Sequence, residues 1–186
     1  AAVALLQGKT PAAKGSYNNG KVDVPAIQSA VITVDKANVQ SVLIDGGYYQ
    51  ASDFTGLEGG GPTGALAVGI VLPTKDEPRW IQDETRFKDA LTKAGYEVQI
   101  LFSQGDSAKE KANVEALISQ GIKVLIICPQ DGTAAAAAAD EARAAGVKVI
   151  SYDRLILDTE AVDYYVTFDS VAVGAAWGDY LASKAT

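Results

Sequence analysis

From residue 65 onward the chain alternates short apolar runs with helical stretches, and the joints between them are brief. The apolar runs are Leu66–Leu72, Tyr96–Phe102, Lys123–Cys128, Val147–Tyr152 and Tyr164–Phe168. They are continuous rather than alternating, the pattern of strands buried on both faces. Helical stretches lie near Arg79–Ala94, Ser107–Gln120, Thr133–Ala145 and Val171–Ser183, and Gly95, Gly121 and Gly146 follow helical runs as C′ glycines do. Repeated β-α units with short connections predict an α/β fold, a parallel sheet with helices on both faces. The run Ala134–Ala139 fits this scheme, because alanine favours helix and its small side chain lets a helix lie close to a sheet.

Residues 1–58 follow a different pattern. Ala1–Gln7 reads as the last turns of a helix ended by Gly8, and Thr10–Lys21, rich in Gly, Pro, Asn and Ser, reads as a loop. A strand is expected at 30–34 and a short helix at 36–43 that Asp35 could cap. Residues 59–64, Gly-Gly-Gly-Pro-Thr-Gly, have the composition of a linker. A chain that begins inside a helix and joins two pieces through triglycine reads as cut and re-joined. Methionine is absent even at position 1, which reads as a processed or excised product, and no secretory signal opens the chain, so any export signal is expected to have been removed or to lie outside this sequence.

The chain has 186 residues, enough for one domain with a substantial core. Its net charge of −7 and lack of a basic cluster disfavour nucleic acid as a partner. Histidine is absent, which removes the usual general base and the commonest zinc ligand. The lone Cys128 lies in a strand-like run and reads as a buried, inert thiol.

Chemistry-bearing residues concentrate where the strands end. The run Leu66–Leu72 stops at Pro73 and delivers Lys75, Arg79 and Trp80 to the start of a helix. In an open α/β sheet, ligands bind at the carboxyl ends of the strands. Two cations and a flat indole, with no glycine-rich phosphate cradle, suit a sugar: indole covers the apolar face of the ring and the cations donate to its oxygens. The same residues also fit a surface loop whose Trp80 packs on the next helix, and the residues alone leave both readings open. Asp131, after the third apolar run, could accept from ligand hydroxyls or serve as turn residue and helix cap. Asp153 and Arg154 follow the fourth run. Adjacent opposite charges at the end of a buried strand are costly unless used, and together they could bracket vicinal hydroxyls or form a surface ion pair of little worth. Asp169 or Ser170 most simply caps the last helix.

The segments VGIVLPTKDEPRWIQD, VLIICPQDGT, GVKVISYDRLI and YYVTFDSVAVG, in that order, resemble the first lobe of periplasmic sugar-binding proteins of ABC transporters, nearest the xylose-binding and multiple-monosaccharide branch. The segments ALLQGKTPAAKGSYNNGKVDVPA and AVITVDKANVQSVLIDGGYYQASDF resemble the end of the same family, so the order is circularly permuted and the second lobe is missing. The resemblance implies a single three-layer αβα lobe of the type I periplasmic-binding-protein fold with a mainly parallel sheet of five or six strands. In that lobe 1–58 is the family's carboxyl-terminal segment, 59–64 a linker and 65–186 the amino-terminal β-α repeats. It implies that Arg79, Trp80, Asp153 and Arg154 contact a monosaccharide, with Lys75 and Asp131 carried over less directly. It implies no cofactor, no catalysis, a periplasmic or extracytoplasmic location, and as partners the parent's second lobe and a membrane permease. The surface left bare by that lobe, carrying Val24, Ile27, Val31 and Ile32, is expected to recruit a second copy as a homodimer.

Two other classes remain open. A doubly wound enzyme using a nucleotide or phosphoryl group would share the β-α pattern, but LPTKDEPRW carries no G-x-G-x-x-G and presents cations where a metal pocket needs carboxylates. The sugar-sensing part of a transcription regulator would share it too, but no helix-turn-helix segment or basic patch accompanies it here.

Overall fold

A computed structural model describes residues 1–29, 31–32 and 66–185. Contacts gather these residues into two compact units, 1–28 with 66–167, and 29, 31–32 with 168–185.

The first unit is built on a seven-stranded sheet of order β1-β2-β7-β6-β5-β3-β4. Its strands are β1 (Gly15–Asn18), β2 (Asp23–Ser29), β3 (Leu66–Leu72), β4 (Glu97–Phe102), β5 (Val124–Ile127), β6 (Lys148–Tyr152) and β7 (Tyr164–Phe168). From β4 to β7 every pairing is parallel, in the register Ile70 beside Ile100 and Ile126, and Ile126 beside Ile150. The helices are α1 (Ala2–Leu6), α2 (Pro78–Lys93), α3 (Ser107–Ser119) and α4 (Ala136–Ala144).

Alternation along the central strands fills two cores. Val71, Leu125, Ile127 and Val149 meet Val114 and Leu117 of α3 and Ala138, Ala139 and Ala142 of α4. Val68, Ile70, Leu72, Val124, Ile126 and Ile150 meet Ala2 of α1 and Trp80 and Leu91 of α2. From residue 66 onward the expected strands and helices all form, within one to three residues at most ends. The C′ glycines Gly95, Gly121 and Gly146 have φ of 84°, 82° and 77°, the left-handed conformation that ends a helix without a Cβ clash. The alanine-rich helix lies on the sheet as its composition suggests, but starts at Ala136 rather than Thr133, because residues 132–135 form a turn.

Two expectations for the first residues need correction. Residues 10–21 are not all loop: Gly15–Asn18 pairs antiparallel with residues 23–26 of β2, Gly15 opposite Ala26, Ser16 opposite Pro25 and Asn18 opposite Asp23. With this hairpin the sheet has seven strands rather than five or six. Val24, expected on a bare rim, is fully buried in the α3/α4 core, and Ile27 is half-buried. The hairpin turn is tied to the loop before β7, where Asn19, 1% exposed, donates to the Thr159 carbonyl and the Asp158 N–H donates to the Asn19 carbonyl at 2.7 Å.

The helix expected at 36–43 and the linker at 59–64 lie outside the described residues, as does most of the strand expected at 30–34; its described residues, Val31 and Ile32, are not in a strand. In the second unit, α5 (Ser170–Lys184) is capped by Asp169, whose carboxylate accepts from the Ala172 N–H at 3.0 Å. Val31 and Ile32 are exposed, as are Val171, Trp177, Tyr180 and Leu181 of α5.

Gly69 of β3 shows how closely α3 approaches the sheet, since a Cβ there would lie 2.9 Å from both the Leu117 and Ile122 Cδ1 atoms. Gly69→Val should therefore destabilise the protein by about 1–3 kcal/mol through overpacking. The measurement is a urea unfolding curve, and an unchanged midpoint would show that α3 can retreat freely.

Candidate functional site

The chain leaves β3, adds β4 on one side, and returns across β3 to place β5 on the other. Such a reversal opens a crevice at the carboxyl ends of the strands. The segments that meet there are 73–80 after β3, 128–131 after β5 and 152–154 after β6.

Pro78 opens α2, where a missing N–H is harmless, and puts Arg79 and Trp80 in the first turn. Arg79 Nη2 donates to Asp153 Oδ1 at 2.5 Å, and its Nε lies 3.8 Å from Asp83 Oδ2. Burial opposes the Arg79 charge, but Asp153 and Tyr152 together outweigh it and raise the guanidinium pKa above its ordinary value. Trp80 is 1% exposed, with the Arg79 guanidinium 4.5 Å and that of Arg154 5.8 Å from its ring centre. Its Nε1 is buried without a protein partner.

The end of β6 is bent by Asp153, which has φ of 63° in the left-handed region that Asp tolerates better than most residues. Several bonds hold it there. The Asp153 N–H donates to the Val166 carbonyl at 2.8 Å, and the Asp153 carbonyl accepts from Tyr165 Oη at 2.7 Å. Arg154 Nη1 donates to the Pro129 carbonyl at 3.1 Å, tying the β6 end to the β5 end.

Arg79, Trp80, Asp153 and Arg154 are thus brought together, although Asp153 pairs with Arg79 from another strand end rather than with its neighbour Arg154, and Trp80 is buried in the α1/α2 core, the packing alternative, rather than offering an open indole face. Asp131 accepts from the N–H groups of Thr133 and Ala134 at 2.9 and 2.8 Å, the turn-and-cap arrangement open to it from sequence. Lys75 is directed elsewhere, to Glu84 at 3.4 Å and over the Phe102 ring at 4.6 Å. Cys128 is fully buried, and burial first, then Asp153, pushes its thiol up to about 12.

Sequence reasoning missed three residues. Tyr152 Oη donates to Asp83 Oδ2 at 2.9 Å, fixing the side of the α2 turn. Glu110, 1% exposed, accepts from the Gln130 N–H at 2.8 Å. Its signal was available, because 110 shares a helix face with the buried Val114 and Leu117. Among the described residues no cluster of His, Cys, Asp and Glu could hold a metal ion, and no helix is long and apolar enough to cross a membrane.

Residues 68–186 match the periplasmic binding protein domain. The chain belongs to this family. It is 40% identical over 114 residues to the multiple sugar-binding periplasmic protein SbpA of Azospirillum brasilense, covering 61% of this chain and 32% of that protein. It is 42% identical over 107 residues to the multiple sugar-binding periplasmic receptor ChvE of Rhizobium radiobacter, covering 58% and 30%. Among solved structures, a carbohydrate transporter solute binding protein from Chloroflexus aurantiacus in complex with D-glucose is 79% identical with a TM-score of 0.62, covering 65% of this chain and 36% of that one. The chain spans about a third of the length of the curated relatives it matches.

Burial raises the Glu110 carboxyl to about 7 from an ordinary 4.5, against the opposing pull of the Gln130 N–H and Arg154. Between those values the folded chain holds a proton that the unfolded chain has released, so this contribution to stability is present at low pH and lost as pH rises through about 7. The loss is about 3 kcal/mol at most. Glu110→Gln should abolish it and stabilise the protein relative to wild type at pH 8 but not at pH 5, as read by urea midpoints. Equal differences at both pH values would refute the assignment.

Proposed function

We propose that this chain is a monosaccharide-binding lobe of an ABC-transporter solute-binding protein, periplasmic or extracytoplasmic, non-enzymatic, and completed in its parent by a second lobe and a membrane permease. The observation that carries the reading is the joining of Arg79, Trp80, Asp153 and Arg154 at the strand ends, in a chain similar to a glucose-bound binding protein. Two guanidinium groups and a carboxylate match the donor and acceptor edges of vicinal hydroxyls. Asp131 lies on the turn that Arg154 contacts and would act from there, whereas Lys75 is engaged by Glu84 and the Phe102 ring.

The same reading makes residues 1–58 the family's carboxyl-terminal segment in permuted order. Its support is the packing of Ala2 in the core formed by β3, β5 and α2, and of Val24 and Ala26 in the other core of the matched region.

A bilobed parent of micromolar affinity has a binding free energy of about −8 kcal/mol, and half of that is about millimolar. The single lobe should therefore bind D-glucose or D-xylose weakly, shifting the Trp80 indole resonance in an NMR titration. Arg154→Ala, checked for folding by circular dichroism, should remove the shift. Submicromolar binding would overturn the half-site reading, and thermal stabilisation by NAD or magnesium but by no sugar would overturn sugar binding.

A further inference from the structure

We propose that Glu110 is a positioning residue for the ligand site: its carboxylate holds the 129–131 turn, and through that turn it sets Arg154 and Asp131. The functional half of this inference rests on the sugar-binding reading above. Two adjacent peptide groups carry the argument. The Gln130 N–H donates to Glu110 Oε2 at 2.8 Å, and the Pro129 carbonyl accepts from Arg154 Nη1 at 3.1 Å. The turn is therefore gripped by α3 and by the β6 end, and Asp131 follows it directly.

A carboxylate fully withdrawn from water is a costly way to bind one N–H, since a neutral acceptor would serve the fold with a smaller desolvation penalty. What the charge adds is attraction for Arg154. The charged groups acting on Glu110 are Arg154 from the β6 end, which favours its ionised form, and Asp131 from the β5 end, which opposes it. With the carboxyl titrating at about 7, the ionised form falls from about nine-tenths at pH 8 to about one-tenth at pH 6. If only that form presents Arg154 correctly, apparent sugar affinity falls about tenfold over the same interval. Stability and binding then change in opposite directions with pH.

The test uses the full chain, with D-glucose as probe. Wild type and Glu110→Gln are titrated with sugar at pH 6, 7 and 8 by NMR, following the Gln130 amide and the Arg154 Nε–H resonances. The expected result is a dissociation constant that weakens about tenfold from pH 8 to 6 in wild type and stays flat in the variant, with the Gln130 amide titrating only in wild type. A wild-type constant unchanged across this range, or the same profile in both proteins, would overturn the proposal. If wild type binds no sugar at any pH, the sugar reading fails by itself. Positioning is then judged by Arg154 Nε–H: following the Gln130 titration supports it, and independence overturns it.

Discussion

The reversal of chain direction at β3 is the constraint on which the rest of this structure depends. Because crossovers between parallel strands are right-handed, moving first to β4 and then back to β5 sends successive helices to opposite faces. That is why α2 shares one core with α1 while α3 and α4 share the other. The same reversal separates the loops after β3 and β5, so side chains from both can converge without the strands parting. Arg79 reaches Asp153 across this gap, and two residues 74 positions apart in the chain are fixed to each other by one ion pair.

The matched region was legible because its strands are buried on both faces, and burial of that kind writes a continuous apolar run into the sequence. The hairpin was not legible for the opposite reason. Gly15–Asn18 is exposed throughout, so its strand character comes from pairing alone, and Pro25 interrupts the strand that it pairs with. The seventh strand and the burial of Val24 were therefore invisible to pattern.

At the site, position near strand ends drew attention to Arg79, Trp80, Asp153 and Arg154, but the residues alone left a packed surface loop as an equal reading for the first two, and the set of four came from the family resemblance. Their pairing was not readable. Adjacency suggested Asp153 with Arg154, whereas the left-handed turn at Asp153 gives its carboxylate to Arg79 and leaves Arg154 to a backbone carbonyl. Glu110 escaped because a carboxylate within an apolar helix face reads as an interruption rather than as a buried acceptor.

The single cysteine has a practical consequence. Cys128 directly follows β5, an inner strand of the sheet, wholly covered and beside the turn that carries Asp131. A thiol so placed meets an alkylating reagent only when the middle of the sheet parts, so its modification rate is a clock for opening at the crevice floor. With no second sulfhydryl in the 186 residues, that clock has one hand, and its signal needs no deconvolution.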